Sequence, residues 1–204
     1  MPTRVLEVLE EEQGGLGLRL VGTNYGQVEK YAALTYCWGG DQALKTTRGN
    51  LQDHKLRIEG GRLPYTLRDA VIVTKGLGLK YLWIDALCIV QDDGIDKDTE
   101  IGRMSDIYYN AAVVISASRA SHANEGFLHS RTPLGTKYGS TFKLACECPD
   151  GQDGAVVLNF SFSPSEEPIF KRAWTSRNGS WLHDFWNSAR YRRDGFAETA
   201  HWTI

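Results

Sequence analysis

Two uninterrupted apolar runs, YAALTYCW at residues 31–38 and YLWIDALCI at residues 81–89, limit what this chain can fold into. Each is too short to cross a membrane and too apolar to lie on a surface. A half-buried antiparallel strand would alternate apolar and polar residues, whereas a strand covered by helices on both faces does not. The first run stops at Gly39–Gly40 and the second before the turn Asp92–Asp93–Gly94. Between them Leu63–Pro64 opens a helix, with Thr66 as its N-cap and Asp69 completing a capping box. Leu67, Ala70, Val71, Thr74 and Leu77 share one face of that helix, and Gly78 ends it. A second helix is predicted from about Asp96, with Ile101, Met104, Ile107, Tyr108 and Ala111 as its apolar face. Val113–Ala117 is a third short strand. Strand, helix, strand, helix, strand predicts an α/β domain with a central, mostly parallel sheet of about three to five strands flanked by helices.

The rest of the chain attaches to that unit. Residues 1–30 form an N-terminal β segment, in which Arg4–Leu9 and Leu16–Val21 alternate weakly on either side of a turn at Gly14–Gly15. Residues 41–62 are polar and irregular, with one helical turn near Asn50. Beyond Ala120 the pattern loosens, and Phe142–Cys146 and Ala155–Phe160 read as extra β segments.

Composition narrows the function classes. A net charge of −2 gives no global attraction for nucleic acid or an anionic membrane surface. Of the four cysteines, Cys37 and Cys88 sit in apolar runs, where buried reduced thiols are expected. Cys146 and Cys148 lack both the zinc-knuckle spacing and a partner pair, and the five histidines are scattered, so no metal is expected. With neither an apolar leader nor a membrane-length run, a cytoplasmic location is the expectation.

Three blocks of the sequence resemble the fungal heterokaryon-incompatibility (HET) domain. The first is YAALTYCWG at 31–39, similar to the family's YxALSYxWG. The second begins with LPYTLRDA at 63–70 and continues through YLWIDALCIVQD at 81–92 to Glu100, Arg103–Met104, Ile107–Tyr108 and Gly126–Phe127–Leu128. The third is a stub, Arg172–Ala173–Trp174–Thr175, so the resemblance implies a main domain at 31–175 and an irregular tail over 176–204. The resemblance implies a module of fungal non-self recognition that triggers cell death or growth arrest, partnered by a second copy of itself or by another incompatibility protein. Through the family, the chain is remotely similar to TIR domains. Some of those hydrolyse NAD with a glutamate beside the carboxyl edge of the sheet. The alternatives are therefore a TIR-like NAD glycohydrolase with NAD as substrate, and a non-catalytic homotypic scaffold or inactive fragment.

The acids able to serve such chemistry are Glu100 and Asp85. A carboxylate inside an apolar strand must be paired, hydrogen-bonded or protonated, so Asp85 is either a perturbed functional acid or the brace of a neighbouring loop. Glu100 is expected in the first turn of the second helix, just past the carboxyl end of the second strand, where open parallel sheets bind ligands. There it either supports a developing oxocarbenium ion or complements the helix dipole alongside Asp96 and Asp98. Gln91 reads a ligand amide or ties the turn. Arg103 pairs with Asp85 or contacts phosphate. Tyr36, Trp38 and Gly39 offer an aromatic floor for a ligand or pack in the core. Cys88 has apolar flanks and no neighbouring histidine, as expected of a packed thiol.

After Thr175 the family continues with a QExLLxxRxLxF-like segment, and this chain does not. The genetic code supplies a reason. Pairing each codon's third base with the next codon's first two makes Asp184 yield arginine or a stop, Trp186 leucine and Asn187 glutamate. Those residues fit the missing pattern, so 176–204 is expected to be translated from a shifted frame. Such a tail has had no selection for packing, and Trp181, Trp186 and Trp202 are expected to be loosely held.

Overall fold

A computed structural model describes residues 1–10, 15–24 and 26–130, together with Phe142–Glu147, Asp153–Leu158 and Pro168–Lys171. The turn at Gly14, the stub at 172–175 and the tail at 176–204, with Trp181, Trp186 and Trp202, lie outside the described residues. The strands are β1 (Arg4–Glu10), β2 (Leu16–Gly22), β3 (Tyr31–Tyr36), β4 (Ile58–Glu59), β5 (Tyr81–Trp83) and β6 (Val113–Ala117). They form one sheet in the order β4-β2-β1-β5-β3-β6. The helices are α1 (Leu51–Leu56), α2 (Tyr65–Gly76), α3 (Asp85–Cys88), α4 (Gly94–Gly102) and α5 (Met104–Tyr109). Two further strands, β7 (Phe142–Glu147) and β8 (Asp153–Leu158), pair antiparallel as a separate hairpin.

The α/β class holds, and the sheet is mixed. β5, β3 and β6 run parallel, with Ala33 opposite both Trp83 and Val114. The N-terminal hairpin adds antiparallel to β5, placing Leu6 beside Leu82 and Glu7 beside Tyr81. The segment 1–30 thus supplies a strand between β2 and β5. Glu7 is buried there and is met by Arg19 across the strand pair and by Lys80 at 2.9 Å. Burial alone would raise its carboxyl, yet the bonds from Arg19 and Lys80 outweigh that and hold it below the usual range.

β3 is buried at all six positions, as its unbroken apolar run requires. In the parallel trio the first strand, β3, lies between the second, β5, and the third, β6. The two crossovers leave in opposite directions, and connections of one hand then place α2 and α4–α5 on opposite faces. Leu67, Ala70 and Val71 of α2 pack in the core. On the α5 side, Tyr31 donates its hydroxyl to Ile107 O at 2.6 Å, and Tyr108 donates to Leu34 O at 3.1 Å. The Trp83 and Tyr108 rings meet edge to face with centroids 5.5 Å apart. Among the described residues, no helix is long and apolar enough to cross a membrane.

Two helix assignments differ from expectation. Thr66 does not cap α2: Pro64 precedes the helix without a side-chain cap. Instead Thr66 Oγ1 accepts Gly126 N–H at 3.1 Å, and Asp69 Oδ2 accepts the N–H groups of Phe127 and Leu128 at 2.6 and 2.9 Å. Both side chains are spent on a distant loop. The second predicted helix is two helices, broken at Arg103. The first of them starts earlier than Asp96 because Asp93 caps it, accepting from Ile95 and Asp96 N–H.

Candidate functional site

The carboxyl ends of β5, β3 and β6 carry three loops that meet at one edge. The order β5-β3-β6 puts a topological switch between β3 and β6, the position at which open α/β sheets bind ligands. Trp38 follows β3 and reaches the β5 loop, where its indole N–H donates to both Asp85 oxygens at 3.1 Å each. Its carbonyl accepts from Gln42 Nε2 at 2.8 Å and from Ala123 N–H at 3.3 Å, which ties in the loop after β6. Gly39 has φ +72°, and a Cβ there would stand 2.0 Å from His122 Cβ. A close loop contact therefore requires glycine at this position. Tyr36 is fully buried in the core cluster.

Asp85 is not in mid-strand. β5 ends at Trp83, and Asp85 opens the single turn α3. Periodicity cannot distinguish a short buried strand from a buried helical turn, because both read as unbroken apolar runs. The carboxylate is 6% exposed and also accepts the adjacent Ala86 N–H at 2.7 Å. Gln91 donates its amide to Asp85 O at 3.0 Å and Ile89 O at 3.1 Å, so it ties the turn.

Glu100 also departs from its expected place. It lies in the last turn of α4, where a negative charge opposes the helix dipole. It is nevertheless 1% exposed. Its Oε1 stands 3.9 Å from Arg103 Nη1, and its buried Oε2 has no hydrogen-bond partner among the described residues; Thr35 Oγ1 and Trp83 Nε1 share that condition. Arg103 therefore pairs with Glu100, and it donates to Thr3 Oγ1 at 2.8 Å.

The two acids converge on Cys88. Burial pushes its thiol up to about 12, with the Glu100 and Asp85 charges acting in the same direction and the Ile84 backbone and Arg4 against it. A thiol so held is a packing group, not a nucleophile. Among the described residues, no group of histidine, cysteine, aspartate and glutamate has the geometry to hold a metal.

Local patterning missed the residues that brace this edge. Thr46 donates its backbone N–H to Ala86 O at 2.9 Å and its hydroxyl to Leu87 O at 2.6 Å, and its carbonyl accepts Gln91 N–H at 2.8 Å. With that hydroxyl proton committed, His54 Nδ1, 2.8 Å from Thr46 Oγ1, must be the donor in their bond. Neither residue stands in a recognisable motif: Thr46 reaches a carbonyl 41 residues away, and His54 acts through Thr46. A separate groove lined by Glu7, Val8, Leu9, Lys75, Gly78, Leu79 and Lys80 opens at the amino end of β5, away from Asp85.

No curated protein and no solved structure matches the chain. A family model described as heterokaryon incompatibility protein (HET) matches residues 31–177, which include β3, α2, β5, α4 and α5. That span is more than half of the 204 residues, and the chain belongs to the heterokaryon incompatibility family.

Proposed function

We propose that this heterokaryon-incompatibility module triggers growth arrest or cell death through the carboxyl edge of β5, β3 and β6. The supporting observation is the buried Asp85 carboxylate, held at that edge by Trp38 from the neighbouring strand. A buried acid fixed by donors from two strand ends is a pre-organised feature. The partner is a second copy of the chain or another incompatibility protein. Inducible expression in a fungal host tests the reading. Growth arrest is expected from the natural sequence and is lost in Asp85→Asn and Glu100→Gln; arrest of undiminished strength in both variants would sink it.

A second reading is hydrolysis of NAD, with Glu100 as the working acid and Asp85 as its supporting carboxylate. It is favoured by the buried Glu100 Oε2, unpartnered among the described residues, and by the topological switch in the parallel trio. Here Trp38, Gly39 and Arg103 line the ligand, with Tyr36 packed beneath them and Gln91 holding the Asp85 turn. Incubation with NAD and measurement of released nicotinamide checks it. Release that survives Glu100→Gln, or no release at all, removes this reading.

A further inference from the structure

We propose that Arg4, in the hairpin preceding the matched family span, is the positioning residue that holds α4, and with it Glu100, against the Asp85 turn. The inference rests on the reading of this edge as the working surface. Arg4 Nε donates to Cys88 O at 2.7 Å, and Nη2 donates to Asp96 Oδ1 and Oδ2 at 2.6 and 2.5 Å. Asp96 Oδ2 also accepts Val90 N–H at 2.9 Å. One guanidinium thus joins the end of α3 to the first turn of α4.

Helix α4 needs this clamp. Its nine residues include a single buried one, Glu100, while Ile95 is 82% and Ile101 49% exposed. A helix this short is marginal unless packing holds it, and this one buries almost no apolar surface. Polar contacts must then decide where it sits. Asp96, Glu100 and Arg103 follow at i, i+4 and i+7 along one face. The last of these donates to Thr3 Oγ1 at 2.8 Å, directly beside Arg4. Arg4, which opens β1, and Thr3 just before it therefore grip both ends of α4. The grip is firm because β1 is hydrogen-bonded between β2 and β5. Arginine suits the position because its planar fork serves a carbonyl and a carboxylate at once, which an ammonium cannot do in the same geometry.

Amide hydrogen exchange on the full chain tests the proposal. In Arg4→Ala the amides of Gly94–Arg103 and of Val90 should exchange about tenfold faster, with those of β3 changed by less than about twofold. Arg4→Lys should resemble Arg4→Ala, and adding Asp96→Asn to Arg4→Ala should accelerate α4 little further. Unchanged α4 exchange, equal acceleration of α4 and β3, or full protection in Arg4→Lys would each overturn the proposal. If Arg4→Ala does not fold, Arg4→Lys carries the same comparison. Exchange reports helix placement without reference to killing. Local loosening of α4 alongside a dispensable Glu100 would therefore remove the reading of the site and leave the clamp standing.

Discussion

The Trp38 indole spans both oxygens of Asp85, 3.1 Å from each, and thereby joins the loop after β3 to the turn after β5. The bond is shielded from water, since Asp85 is 6% exposed. Trp38→Phe keeps the ring and removes only the donor. It should lower stability by about 1–2 kcal/mol. Urea denaturation measures this, and an unchanged midpoint would show that the bond contributes nothing.

Gly126 should resist substitution. Its φ is +75°, and a Cβ there would lie 2.9 Å from Asp69 Oδ2 and 3.3 Å from Tyr65 Cβ. Gly126→Ala therefore combines backbone strain with displacement of the carboxylate that binds Phe127 and Leu128. A loss of about 1–3 kcal/mol is expected. Asp69→Ala breaks the same junction, so the double variant should lose less than the sum of the two. Strict additivity in thermal melts would show that the residues act independently.

His54 makes stability depend on pH. Burial lowers its pKa, Arg62 lowers it further, and Asp53 opposes both. The unfolded chain then binds the proton more readily than the folded one, so stability rises with pH across this window. The contribution is present above the unfolded value near 6.5 and is lost as pH falls through the lower folded value. Melts between pH 7.5 and 5.5, about that midpoint, should show a decline that His54→Gln abolishes. A decline of equal steepness in the variant would assign it to other groups.

Cys88 should be silent in the native protein. With its thiol raised to about 12 and no exposed surface, it holds almost no thiolate at neutral pH. A thiol reagent followed by peptide mapping should label it only after denaturation. Rapid native labelling at Cys88 would contradict the packing described.

The shifted frame inferred after Thr175 is a statement about nucleotides. Sequencing genomic DNA and transcript across the Trp174–Ser176 codons should reveal an alternative frame encoding a QExLL-like continuation. Absence of such a frame ends the idea.

What the sequence by itself determined was which segments are buried and to which family the motif block belongs. The unbroken run at 31–36 required a strand covered on both faces, and β3 is buried throughout for that reason. Leu67, Ala70, Val71 and Thr74 of α2 likewise followed from helical spacing, whereas Leu77 falls past the helix end and is exposed. The turn holding Asp85 was not legible, because a fully apolar run has no periodicity to separate strand from helix. Thr66 and Asp69 looked like a capping box because local spacing carries no record of a loop sixty residues away. Tertiary structure alone decided that Trp38 meets Asp85, that Thr46 braces the same turn, and that Arg4 reaches Asp96. The physical reason is range. Burial is written into each residue's own transfer free energy and its spacing, whereas a hydrogen-bond partner depends on where the folded chain brings a second residue.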